Sequence, residues 1–502
     1  MPRVFSPRRS ILALFTLLMT AGLGTAGLAY GAGGGGGEGK YLPGAELNLV
    51  WILPFVGILL SIAFMPLFLP RIWHHHFGKI SLGWAVAFLL PCLIVYGWGT
   101  TSFLAWETVA HEYLPFIILL FALFTISGGV RIKGSLVGTP VLNTGILALG
   151  TVLASFMGTT GAAMLLIRPL CRANDHRKHR VHTVVFFIFL VANIGGSLSP
   201  LGDPPLFLGF LKGVSFFWPT TAMFFPMLML SVLLLGLYYI VDTVLSRREG
   251  ETLPMNNIET GKEGERLGLE GSVNLLLLAG VVLFVLYSGF ADDLPAPLGT
   301  EAYFLLYGVD IKIANLVRDL GLLGLAGLSL VLTANESRKL NGFTWFPIIE
   351  VATLFAGIFM TIIPALAILR AGSAGALGWV IDGVTRADGT PLNAAYFWAT
   401  GILSSFLDNA PTYLVFFNTA GGDPEQLMGE LSGTLLAISA GAVFMGAVTY
   451  IGNAPNFMVR SIAEDRGIKM PSFFGYMLWS CGILMPLFVV VTFLFFNPLT
   501  GG

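Results

Sequence analysis

The sequence predicts an all-α polytopic membrane protein built from two inverted-topology repeats, each with a re-entrant helical hairpin and a broken transmembrane helix. Three observations lead there. Of 502 residues, 55% are hydrophobic and only 11% charged, with a mean hydropathy of +0.81. Apolar stretches long enough to span a bilayer recur from end to end. Short motifs of the first half return in the second at one constant offset.

A soluble domain carries roughly twice this charge fraction, so no sizeable soluble domain has room to fold. The net charge of -1 points to no particular partner, nucleic acid included. Cys92, Cys171 and Cys481 lie far apart without a CxxC, which suggests neither a disulfide framework nor a zinc site. The chain has no GxxxxGK[ST] phosphate loop, which argues against an ATP-driven pump. It also lacks HExxH and GxSxG, which argues against a membrane-embedded hydrolase.

Residues 1–32 join Arg3, Arg8 and Arg9 to an apolar run with small residues near Ala29 and Ala32, the pattern of a signal peptide or an uncleaved apolar segment. A Gly-rich linker follows over 33–46. A spanning helix needs roughly 20 apolar residues. Spans are expected near 47–69, 80–99, 113–130, 183–211, 217–243, 272–290, 313–334, 344–370, 431–459 and 471–496. Segments 140–170 and 392–418 carry small and polar residues in their middles and read as re-entrant hairpins. Such backbone survives at membrane depth only against protein or a water-filled cavity. The organisation is then scaffold helices over 47–108, a first repeat over 109–243, a cytoplasmic loop over 244–271 and a second repeat over 272–496.

Positive charge sets the orientation, because cytoplasmic loops collect Lys and Arg. With both hairpins returning to their own side, Arg71–Lys79, Arg131–Lys133, Arg168–Arg180, Arg247–Arg266, Arg338–Lys339 and Arg460–Lys469 all fall inside. One hairpin is then entered from the cytoplasm and the other from outside. His74, His75 and His76 lie in an inner loop beside Trp73, where an interfacial role outweighs metal binding. Arg168 and Arg172 mark the inner boundary, and Glu112 an outer one.

The repeat is explicit. Ser155-Phe156-Met157-Gly158-Thr159-Thr160 aligns with Ser405-Phe406-Leu407-Asp408-Asn409-Ala410, and GDPPLFL (202–208) with GNAPNFM (452–458), both offset by 250 residues. Pro200, Pro204, Pro205 and Pro455 interrupt the helices at the second pair of motifs, since proline lacks the amide that a helix interior needs. In an inverted repeat the binding site is expected near the midplane, at such breaks.

Few charges lie deep in the apolar segments; Asp203, Glu350 and Asp408 are the clearest. An Asp at a helix centre costs roughly 2.5–3.5 kcal/mol on insertion scales, so it marks an ion or proton path. Asp203 sits in the first break and Asp408 at the second hairpin turn. With Thr159, Thr160, Asn409, Thr412, Asn453 and backbone carbonyls they can hold a hard cation such as sodium. Burial disfavours an ionised carboxylate, so the same pair can take protons when the metal leaves, which suffices for cation/proton exchange. The plainer alternatives are that Asp203 caps the next half-helix and that Asp408 is a turn tip. Glu350, near the inner end of its span, and Asn193, one turn before the first break, are candidates for a proton path.

The hairpin turns GTTGAA and LDNAPTY, with GDPPLF and GNAPNF after them, resemble the ion transporter superfamily over about 110 to about 490. That group contains NhaD-type sodium/proton antiporters, arsenite permeases, and citrate and dicarboxylate transporters. The resemblance implies inverted repeats, sodium sites at the hairpin turns, elevator-like alternating access and a homodimer held by a scaffold domain. Residue by residue, it assigns Thr159, Thr160, Gly202 and Asp203 to one site and Asp408, Asn409, Thr412 and Asn453 to the other. The dicarboxylate branch places Ser-Asn-Thr at both turns, whereas Gly-Thr-Thr and Asp-Asn-Ala stand here. An ionised Asp408 beside a substrate carboxylate is repulsive unless sodium screens it, so the acidic pair favours a cation as cargo. The expectation is a multi-pass transporter of the bacterial inner membrane, exchanging sodium for protons, with no cofactor beyond the sodium ion. A sodium-coupled citrate or dicarboxylate symporter, or an oxyanion permease, is the alternative.

Overall fold

The computed structural model describes residues 27–29, 41–134, 136–249, 268–291, 294 and 303–496. The expected signal segment and Gly-rich linker fall almost wholly outside these, as does most of the expected loop over 244–271. Among the described residues, nine helices are long and apolar enough to cross a membrane. The chain is an all-α, multi-pass membrane protein.

Helix α1 spans Leu53–Phe68 and α2 spans Pro70–Thr108. The sequence suggested separate spans near 80–99 and 113–130. The chain does leave helical geometry at Gly97 (φ 78°), close to the expected end of the first of these spans, but beyond it the helix runs without interruption through a π-turn at Val109–Tyr113 into α3, Leu114–Ser127. The segment TTSFLAWETVAHEY has no turn-forming Gly, Pro or Asn, so nothing separates the helix that follows the Gly97 break from α3.

Helices α4 (Pro140–Met157) and α5 (Thr159–Ala173) form the first hairpin. Thr139 caps α4 through its hydroxyl, with Pro140 in the first turn. Gly158 turns the chain at φ 79°, a conformation that a Cβ opposes. The arms fold back on each other: at the open end Asn143 and Asn174 exchange two amide hydrogen bonds of 2.9 Å. Helix α6 (Val181–Leu190) follows, then an irregular segment, then α7 (Pro204–Leu211).

Helices α8 (Phe224–Glu249), α9 (Val273–Phe290), α10 (Ile313–Leu332) and α11 (Phe346–Arg370) lead to the second hairpin. It consists of α12 (Asn393–Phe406) and α13 (Asn409–Thr419). It too folds back, since the Tyr396 hydroxyl donates to the Thr419 carbonyl. Helix α14 (Ser432–Met445), a second irregular segment, α15 (Ala454–Asp465) and α16 (Phe473–Phe495) complete the chain. Among the described residues, two small antiparallel sheets lie outside the long helices; one pairs Arg131–Lys133 with Gly268–Glu270.

The first halves of the broken helices form the centre of the molecule. Val184–Leu190 of α6 and Ala437–Met445 of α14 are buried on every side. A helix apolar all round belongs in a core. At 1.5 Å per residue, these arms of 10 and 14 residues reach only about 15 and 21 Å. Neither crosses a hydrocarbon layer of about 30 Å alone.

Candidate functional site

Both breaks are written locally by proline and glycine. Ser199 and Asp203 each precede a proline and are extended (φ/ψ -150/160° and -139/142°), because a following ring disfavours helical backbone. Pro204 then starts α7, where a missing amide is harmless. Gly202 lies so close to Gly196 that an added Cβ would sit 2.0 Å from the Gly196 carbonyl oxygen; at Gly452 the distance to the Gly446 oxygen is 2.6 Å.

The hydrogen bonds of the two breaks repeat at the offset found in the sequence. The Ser155 hydroxyl donates to the Gly195 carbonyl (2.5 Å), and that of Ser405 to the Met445 carbonyl (2.9 Å). Ser199 and Thr449 donate back to the carbonyls of Ser155 and Ser405. The amides of Leu201 and Ile451 each meet the preceding hydroxyl at 3.2 Å. Every pair differs by 250 in number. Each break is therefore tied to the adjoining arm of its own hairpin, and the Thr159 amide adds a bond to the Gly202 carbonyl (2.9 Å).

Asp203 lies where the two breaks meet and is 1% exposed. Three side chains donate to its carboxylate. The Thr159 hydroxyl (3.1 Å) and Asn453 Nδ2 (2.9 Å) reach Oδ1, and Asn409 Nδ2 (2.5 Å) reaches Oδ2. Thr159 belongs to the first hairpin, Asn409 to the second, and Asn453 to the second break. No Lys, Arg or His among the described residues lies within ion-pair distance of Asp203. The Asn409 side chain is fully buried, and its Oδ1 has no partner. A small cavity of about 80 Å³ adjoins this cluster, lined by Gly158, Thr159, Thr160, Pro200, Gly202 and Asp203.

Other expected site residues lie nearby in different roles. Asp408 is half-buried and caps α13, its Oδ1 accepting from the Ala410 amide (3.1 Å). The Thr412 hydroxyl donates to the Asp408 carbonyl within the same helix (3.0 Å). Asp408 borders a wider cavity of about 510 Å³ with Asn453, Glu350, Trp73, His74 and Arg168. Within it Trp73 Nε1 donates to Glu350 (3.2 Å), and Arg168 has an unpartnered Nη1. Asn193 joins the polar crossing: Oδ1 accepts from Asn453 (3.2 Å), and Nδ2 donates to Asn456 (2.7 Å).

Two features escaped sequence reasoning. Asn456 completes the crossing, and its signal was the single polar side chain inserted into the APNFM motif. Away from the crossing, Asp242 on α8 gathers Arg177 Nη1 (2.6 Å), His182 Nε2 (2.7 Å) and Asn143 Nδ2 (3.1 Å), tying the open end of the first hairpin to α8. Glu112, expected at an outer boundary, pairs with Lys212.

Over residues 44–496 the chain matches the family of proteins described as "Putative citrate transport". It is also similar to uncharacterized transporters of Mycobacterium bovis and Mycobacterium tuberculosis. Each is 24% identical over 339 residues, covering 66% of this chain and 71% of the relative.

Proposed function

The chain belongs to the family so matched, a family of membrane transporters, and on that premise we propose that it exchanges sodium for protons. One observation carries this: Asp203 is a buried carboxylate without a countercharge, held by donors from both halves of the chain. A buried charge is costly unless paired. A small monovalent cation or a proton neutralises it, and the two compete for the same oxygens. Asp408 and Glu350 border the wider cavity, which supports a part for them in bringing ions or protons to the crossing.

In this reading the halves are inverted repeats, and the hairpins are entered from opposite faces of the bacterial inner membrane. The hairpins and broken helices move as an elevator-like body against the remaining helices, in a homodimer. The cavity of about 80 Å³ beside Asp203 has room for a small ion, with Thr159, Thr160 and Asp203 as polar groups in an otherwise largely apolar lining.

A second reading, sodium-coupled uptake of citrate or another carboxylate, draws on two observations. The family description names citrate. The 510 Å³ cavity falls in the size range of small-molecule sites and is lined in part by the cationic Arg168. Everted vesicles separate the two. Under the antiport reading, sodium or lithium collapses an imposed pH gradient, and Asp203→Asn abolishes that response. Sodium-dependent uptake of labelled citrate without a pH response would replace antiport by symport.

A further inference from the structure

The two breaks share a backbone path but differ in chemistry. At the offset of 250, Asp203 corresponds to Asn453 and Leu206 to Asn456. Asn456 is fully buried, and its Nδ2 donates to two carbonyls of the second break, Gly446 (2.8 Å) and Thr449 (2.9 Å). Its Oδ1 is occupied by Asn193. The corresponding carbonyls of the first break are those of Gly196 and Ser199. The residue at the matching position there is Leu206, a buried hydrocarbon with no hydrogen to donate. The Ser199 carbonyl meets the Gly202 backbone amide instead (3.0 Å).

An amide NH₂ lodged between two break carbonyls supplies the positive charge that a bound cation would supply, to lone pairs that burial otherwise leaves unsatisfied. The second break is thus filled by the chain's own side chain. The first break is left with the carboxylate of Asp203 and, beside it, the unpartnered Oδ1 of Asn409 on the same amide that touches Asp203. Asp408, at the tip of the second hairpin, already serves as a helix cap on the wide cavity.

We infer that each chain binds one monovalent cation, at the first break through Asp203 and Asn409, and that Asn456 stands in for a second. This rests on the sodium/proton reading above. It departs from the expectation of sodium at both the Asp203 and Asp408 sites, because that expectation treated the two breaks as chemically alike.

Equilibrium binding of radioactive sodium to the purified full-length protein tests it. The expected count is one ion per chain, at least about 1000-fold weaker in Asp203→Asn and still present in Asp408→Asn. Asn456→Asp replaces the donor amide by a carboxylate beside the same two carbonyls and is expected to raise the count to two. Two ions on the natural protein, with Asp203→Asn removing only one, would overturn the inference while leaving antiport intact. So would an ion lost in Asp408→Asn but kept in Asp203→Asn, or a folded Asn456→Asp that still binds one. If Asn456→Asp does not fold, the natural count and the two aspartate variants decide. No sodium bound at all would overturn the sodium/proton reading itself.

Discussion

Replacing Asp203 by Asn separates the charge of the crossing from its shape. Thr159 and Asn453 both donate to Oδ1, so the amide oxygen of the new side chain can accept both bonds where it stands. The new NH₂ then faces Asn409 Nδ2, formerly 2.5 Å from Oδ2. Asn409 resolves that clash by turning its own amide, because its Oδ1 is unpartnered and becomes the acceptor. Three hydrogen bonds survive as neutral ones, worth about 0.5–1.5 kcal/mol each against about 1.5–3 for bonds to a charge. Removing an uncompensated buried ion works the other way, so stability should change by less than about 2 kcal/mol. Cation binding should suffer far more. Two unit charges 4 Å apart attract by about 4 kcal/mol at an effective dielectric of 20, which is about 1000-fold in affinity. The assay pairs thermal melting in detergent with sodium-driven pH change in proteoliposomes. A folded Asp203→Asn protein whose half-saturating sodium lies within tenfold of the natural protein would refute the reasoning.

Gly202→Ala places a Cβ 2.0 Å from the Gly196 carbonyl oxygen and should cost about 1–3 kcal/mol or more, with loss of transport. Gly83→Ala, with no atom within 4 Å of the added Cβ, should leave melting and transport unchanged or slightly raise stability. Asp242→Asn removes the nearer of two countercharges from the buried Arg177 guanidinium, with Glu249 remaining at 3.5 Å, and should lower stability by about 1–3 kcal/mol, as read by chemical or thermal unfolding, while molecules that remain folded still bind sodium. Outside the spans, the hydrogen bond from Arg131 holds the Glu270 carboxyl below its usual range. A depressed carboxylate stabilises the fold above its unfolded value, near pH 4.3, and the benefit fades as pH falls through the folded value. The pair is partly solvated, at 18% and 29% exposure, so solvent screening limits it to about 1 kcal/mol or less. Glu270→Gln should therefore lower the melting temperature slightly at pH 7, and that difference should shrink as pH falls below the unfolded value.

The elements at the crossing were legible because their signals are local. Gly158 and the prolines at 200, 204, 205 and 455 impose turns and breaks whatever surrounds them, and the expected hairpin over 140–170 became α4 and α5 over 140–173. A constant offset made both copies visible. Which side chains meet was not legible, because that depends on how the copies pack. Nothing local says that Thr159 and Asn409, 250 residues apart, converge on one carboxylate. Nor does it say that Asp408 turns to its own helix terminus. Asn456 was missed because its partners are backbone carbonyls, which carry no mark in a sequence. The basic run from Arg168 to Arg180 marks orientation in the sequence, and nothing in it reveals the pairing of Arg177 with Asp242, 65 residues later.

Proton release on sodium binding goes straight to the competition at Asp203. Sodium chloride added to the purified protein in weakly buffered detergent solution should acidify it, whereas choline chloride at the same ionic strength should not. Asp203→Asn, folded to the same extent, should give no acidification. Sodium bound without any released proton, or equal release from Asp203→Asn, would contradict the account.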